Sequence, residues 1–316
     1  MTTHKVFPYV LLFIGICIAA TSAILVRMAQ MEGVPSMSIT SWRLIFAVTL
    51  LTPFVWYHNG AELRQLQRNE IKLGIISGIF LAVHLATWIA SLALTSVASS
   101  TVLVTTNPLW IAIIAFVLWR EKPSSYIMLG LGFALIGSVL IAFSDGQVFV
   151  IDFTQQTIQL NWQALIYPEG KGETALLGDV LALIGAVAVA CYFLIGRNLR
   201  RRLSNISYVW LAYTSAMVTI VIATMLSGFP LFGYTPIAYL WLLLVAVGPQ
   251  LMGHTIFNWS LAHLSAIFIA LAILGEPIGS AILAYFIFNE TFAIVQLIGF
   301  VLLLFGIAIG IIGEQH

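Results

Sequence analysis

The chain has 316 residues, 61% of them hydrophobic and only 8% charged, with a mean hydropathy of +1.04 and a formal net charge of +1. A soluble domain is about 45–50% apolar and about 25% charged, so this composition excludes a soluble globular protein, a disordered chain and a nucleic-acid binder with a basic face. What remains is an all-α integral membrane protein that crosses the bilayer several times.

A helix needs about 20 apolar residues to cross the hydrocarbon core. Ten such runs are predicted, over residues 6–28, 37–57, 71–94, 97–119, 125–143, 176–195, 206–227, 237–261, 266–288 and 292–312. The links between the third and fourth, eighth and ninth, and ninth and tenth runs are very short, which makes those helices antiparallel neighbours. The "AATSA" of the first run resembles a signal-peptide cleavage site, but the run stays apolar well past it and is expected to be a permanent span. Cys17 and Cys191 both lie inside apolar runs and read as small core residues, not as a disulfide or a metal pair.

Lysine and arginine set the orientation. With the N-terminus inside, the inner side collects Lys5, Arg64, Arg68, Lys72, Arg120, Lys122, Arg197, Arg200, Arg201 and Arg202. Arg27, Arg43 and Lys171 fall outside or within the membrane, a bias of about ten to three that puts both termini in the cytoplasm. The expected location is the plasma membrane, in a bacterium the inner membrane. Residues 145–175 form the only long connection, on the outer side. It is expected to be a surface loop, with a short hairpin around Phe149, Ile151 and Phe153 or an interfacial stretch as alternatives.

The chain also resembles itself. At an offset of 169 residues "SLALTSV" meets "SLAHLSA", Pro108 meets Pro277, Glu121 meets Glu290, Gly130 meets Gly299 and Gly137 meets Gly306. One residue more of offset aligns Gly15 with Gly185 and Arg27 with Arg197. Five spans is an odd number, so the second unit enters the membrane upside down. The expected organisation is therefore ten transmembrane helices in two inverted five-helix repeats: residues 1–144, a connection over 145–175, and residues 176–316.

Several segments carry a family resemblance: "NPLWIAIIAFVLWREK" and "LGLGFALIGSVLI", then "GDVLALIGAVAVACYFLIGRNL", "LGEPIGSAILAYFIFNE" and "LIGFVLLLFGIAI". With Arg43 in the second span, the chain resembles the EamA family of the drug/metabolite transporter superfamily over nearly its whole length, apart from the long connection. That resemblance implies a permease; its motifs speak to family and not to substrate, since the family spans amino acids, metabolites and drugs.

Polar residues inside the spans need a reason, because a charge at mid-bilayer costs about 2.5–3.5 kcal/mol on insertion scales. Glu276, immediately before Pro277, is either a proton or cation site or a hydrogen-bonding partner for backbone freed by the proline. His84, Trp88, Ser91 and Thr95 share one helical face, as do Gln250, His254 and Asn258 just past Gly248-Pro249. Thr101, Thr105 and Asn107 stand beside Pro108, and Tyr192 is a further cavity candidate. The substrate-cavity set is thus His84, Trp88, Ser91, Thr101, Thr105, Asn107, Tyr192, Gln250, His254 and Asn258, with helix kinks at Pro108, Pro249 and Pro277. Packing between helices is the alternative role for these side chains. Arg43 lies toward the outer end of its span and is expected to snorkel, in a structural role rather than as a substrate contact. Glu121 and Glu290 are expected to punctuate span ends.

The expected function is a secondary transporter of small organic solutes such as amino acids or related metabolites, working outward by alternating access. A proton-coupled multidrug or cation exporter is the alternative. A membrane-embedded lipid-modifying enzyme ranks below both, since the chain has no HExxH, aspartate-rich motif or nucleophile elbow. No nucleotide-binding motif points to ATP, and no cofactor or metal is expected. A monomer encloses a pathway by itself, and a homodimer is compatible.

Overall fold

The computed structural model describes residues 3–94, 100, 103–104, 106–145, 149–152, 157–160, 175–288 and 294–315. Helices carry the architecture. In the first half they are α1 (Thr3–Met31), α2 (Ser36–Arg64), α3 (Arg68–Leu94), α4 (Asn107–Trp119) and α5 (Ser125–Asp145). The second half holds α6 (Ala175–Leu199), α7 (Asn205–Leu226), α8 (Pro236–Val245), α9 (Thr255–Ser260), α10 (Ala266–Ile273), α11 (Glu276–Phe288) and α12 (Ile294–Gln315). Eight helical stretches among the described residues are long and apolar enough to cross a membrane, and Asn107–Trp119 and Ser125–Leu140 are shorter apolar helices.

Outward-facing side chains are as apolar as the core. Phe13, Val117, Ile136, Ile222, Phe286 and Val301 are all more than half exposed. In water such a surface would be an aggregation hazard; against acyl chains it is at home.

Local chemistry sets the boundaries. Ser204 caps α7 by accepting from the Ser207 amide, Thr235 caps α8 through the Ala238 amide, and Ser265 caps α10 through the Phe268 amide. Between α8 and α9 the chain keeps winding as a nine-residue π-helix, Ala246–His254, with Pro249 inside it. Pro249 has no N–H to donate and its ring crowds the preceding turn, so the backbone widens there instead of continuing as α-helix.

Two breaks differ from the kinks expected at Pro108 and Pro277. Asn107–Pro108 opens α4 and Glu276–Pro277 opens α11, so each proline sits in the first turn of a new helix, where its missing N–H is no loss. The 145–175 connection, expected as a plain surface loop, contains a two-stranded antiparallel hairpin. Strand β1 (Phe149–Asp152) pairs with β2 (Thr157–Leu160), Phe149 opposite Leu160 and Asp152 opposite Thr157.

Packing follows a definite scheme. Helix α3 lies against α6 and α7, while α1 and α2 lie against the continuous α8–π–α9 rod. Helix α4 contacts α6 and α10, α1 contacts α11, α2 contacts α7, and α5 contacts α12 along its length. The α5–α12 crossing is backbone on backbone. A Cβ added at Gly130 would meet the Gly306 carbonyl oxygen at 2.5 Å, and one at Gly137 would meet that of Gly299 at 2.6 Å. Only hydrogen at these positions permits the approach.

Candidate functional site

Where the two halves meet, α2 and the π segment place Arg43 and Gln250 side by side. Arg43 is 5% exposed and Gln250 0%, although the two stand 207 residues apart in sequence. Arg43 Nε donates to Gln250 Oε1 at 2.5 Å, and Arg43 Nη1 donates to Ser22 Oγ of α1 at 3.3 Å. The expectation that Arg43 snorkels is therefore corrected: its guanidinium points into the bundle, held by neutral oxygens. Arg43 Nη2 and Gln250 Nε2 are buried with no hydrogen-bond partner. Glu276, the first residue of α11, lies within Coulombic reach of Arg43 without a direct ion pair.

One helical turn along the rod, His254 and Asn258 continue the Gln250 face, the first of them still inside the π stretch. Asn258 is 0% exposed, accepts from Tyr192 OH at 2.8 Å through Oδ1 and donates through Nδ2 to the His254 carbonyl at 2.9 Å. The Tyr192 ring stacks on Tyr208 with centroids 6.3 Å apart, and Tyr208 OH lies 2.9 Å from Ser77 Oγ. Tyr213 OH donates to the Gln250 carbonyl at 3.2 Å. The fully buried Tyr192 and Tyr213 thus tie α6 and α7 to the rod, and the equally buried Tyr208 ties α7 to α3. Tyr208 and Tyr213 were not among the sequence candidates. Their hydroxyls in an apolar run were the available signal, since a buried O–H needs a partner.

On α3, His84 Nδ1 lies 3.0 Å from the Gly185 carbonyl of α6 and stacks nearly parallel to Trp88, at 3° and 6.3 Å between centroids. Trp88 Nε1 is buried without a partner. Ser91 is occupied in packing, donating to the Trp88 carbonyl at 2.7 Å and sharing a 2.5 Å hydrogen bond with Ser100. Asn107 opens α4 with a buried, unpartnered Oδ1. Thr95, Thr101 and Thr105 lie outside the described residues, as do Phe153, Glu290 and Lys171. His84, His254 and Arg43 lie within Coulombic reach of one another, so the two polar stripes and the arginine face a common region.

One end of the bundle is closed by charged clasps. Glu121, after α4, takes a two-pronged salt bridge from Arg197 of α6 at 2.5 and 2.6 Å. The Arg197 guanidinium holds the Glu121 carboxyl below its ordinary range. This is more than punctuation, because it ties the two halves together. Glu62 of α2 accepts from Ser204 N at 2.6 Å and from Ser207 Oγ at 2.7 Å, capping α7 from the opposite half. Glu314 of α12 caps α10 within the second half, accepting from Ser265 N at 2.5 Å.

Known proteins share this fold and sequence. A solved crystal structure covers 98% of this chain and 98% of its own, with a TM-score of 0.75 at 15% identity, a likeness of fold alone. An uncharacterized transporter of Archaeoglobus fulgidus is 24% identical over 279 residues, covering 88% of this chain and 87% of the relative. The uncharacterized transporter YyaM of Bacillus subtilis is 22% identical over 277 residues, covering 85% and 82%. The EamA-like transporter family matches twice, over residues 6–143 and again over residues 176–312. Matched along both of its apolar stretches, the chain belongs to the EamA-like transporter family.

Proposed function

We propose that the protein is a secondary transporter that moves small organic solutes, amino acids or related metabolites among them, outward across the plasma membrane by alternating access. Ten spans in two inverted five-helix repeats, residues 1–144 and 176–316 about the 145–175 connection, supply the moving parts, with both termini in the cytoplasm. One observation carries this reading. Glycines equated by the repeat, Gly130 with Gly299 and Gly137 with Gly306, pair crosswise in space, Gly130 on Gly306 and Gly137 on Gly299. That pattern arises when two copies are related by a two-fold axis between antiparallel helices, the geometry of inverted-repeat transporters. The remaining contacts follow the same exchange: α3 on α6 corresponds to the rod on α1, and α4 on α6 to α11 on α1.

The central cluster around Arg43, Gln250, Tyr192, Asn258, His84 and Trp88 is the solute site in this reading. Rocking of one half against the other opens it to either side. Proton coupling is favoured by the place of Glu276, a carboxyl at a helix start within reach of the Arg43 charge. The test is counterflow of a labelled amino-acid and metabolite panel into liposomes, wild type beside Glu276→Gln, with and without a pH gradient. Gradient-dependent uptake by wild type, with exchange kept and gradient response lost in the variant, assigns the proton to Glu276. Equal behaviour of the two proteins returns Glu276 to a structural role. No movement of any solute removes the transporter reading.

A further inference from the structure

Arg43 raises a question that membership in a transporter family does not answer. A guanidinium buried in a membrane bundle needs an ion pair or full hydrogen bonding, and this one has neither: Glu276 lies within Coulombic reach but makes no ion pair with it. Its contacts are two neutral oxygens, of Gln250 and Ser22, and its Nη2 is orphaned. Nε and Nη2 form the side edge of a guanidinium, the edge that takes a carboxylate with two parallel hydrogen bonds. Here that edge is half filled by an amide oxygen. The same amide's nitrogen, Gln250 Nε2, is also buried and unpartnered. Two orphaned donors on residues bonded to each other thus stand beside a buried positive charge.

We infer that Arg43 and Gln250 form a carboxylate-binding subsite of the transport pathway, with Arg43 Nη2 and Gln250 Nε2 as the donors that an incoming carboxylate engages. The inference rests on the transporter reading and narrows it to solutes bearing a carboxylate. An ionised carboxylate brings a contacting negative charge for Arg43 and two acceptor oxygens for the two unpartnered donors. A primary amide of the same shape brings one acceptor oxygen and no charge. A primary amine brings a second cation. The subsite therefore selects acids over amides, and amides over amines.

The experiment uses the full chain in liposomes and a counterflow panel of labelled carboxylic acids, each beside its own primary amide and amine analogue. Leucine, 4-methylpentanoate, leucinamide and 3-methylbutylamine make one such series. Wild type is expected to prefer the acid over its amide by roughly ten- to a hundredfold, the worth of a charge-assisted hydrogen bond. Arg43→Gln is expected to lose that preference and Arg43→Lys to keep part of it. Gln250→Glu covers the case in which Arg43→Gln does not fold. Its own carboxylate fills the guanidinium edge, so thermal stability rises and acid transport falls. Acids and amides moving equally well in wild type, or acid transport surviving Gln250→Glu, overturns the subsite and leaves a transporter of other solutes. Movement of nothing in the panel by wild type overturns the transporter reading and the subsite with it.

Discussion

The two halves meet in two ways, and the contrast divides the molecule by purpose. At the α5–α12 crossing they meet symmetrically: Gly130 faces Gly306 and Gly137 faces Gly299, each glycine against the repeat equivalent of the other. At the central cluster they meet asymmetrically. At the same offset Gln250 and Asn258 are equivalent to Leu81 and Ile89, and Glu276 to Asn107. Packing tolerates duplication, because two small surfaces that fit in one orientation fit in the other. Buried polar groups do not, because each donor needs its own acceptor and a second copy would double the desolvation cost.

Substitutions can break or sharpen this contrast. The largest effect is expected at the crossing. Gly137→Val forces side-chain atoms onto the Gly299 carbonyl and the Leu303 amide, backbone groups that cannot step aside, and should lower stability by about 3 kcal/mol. Gly132→Ala lies on the same helix with nothing within 4 Å and should leave stability unchanged or slightly raised. Thermal unfolding followed by tryptophan fluorescence in detergent separates the two; equal losses would remove the crossing from its role. Next comes the cluster. Tyr192→Phe strands Asn258 Oδ1 in the bundle and should cost about 1–2 kcal/mol in the same assay.

The smallest effect is expected at Glu121, whose side chain is 42% exposed. Glu121→Gln should cost under about 1 kcal/mol, less in high salt. Its pH dependence has a definite sign. Arg197 depresses the Glu121 pKa, so the contribution is complete above the ordinary value of 4.5 and disappears as pH falls through the depressed value. The gap in melting temperature between wild type and Glu121→Gln should stay constant from neutral pH down to the ordinary carboxylate range and close below it. A gap that widens on acidification would refute the assignment.

Much of this was legible in the sequence because membranes simplify the reading. Backbone polar groups must be satisfied within each span, so apolar length alone located the helices: residues 206–227 were expected where Asn205–Leu226 is found, and residues 237–261 where the rod runs from Pro236 to Ser260. The stripe Gln250, His254 and Asn258 was legible as one face, and the structure buries Gln250 and Asn258 fully and His254 in part. Arg43 was not. Its position along the helix suggested the outer end, but depth says nothing about rotation, and the partner that turns it inward stands 207 residues away. The breaks at Asn107 and Glu276 were misread as kinks for a related reason: a proline marks a disturbed turn without saying whether the helix bends or restarts.

The wide turn around Pro249 carries a mechanical consequence. Over Ala246–His254 the backbone hydrogen bonds of the π-helix reach one residue further back than in the α-helices on either side. A slip of that register by a single residue would turn everything beyond it by about 100° around the rod axis. Asn258 would leave Tyr192, and everything beyond the turn would rotate away from α6 as one body. Because Gln250 lies inside the wide turn, the same slip would also part it from Arg43.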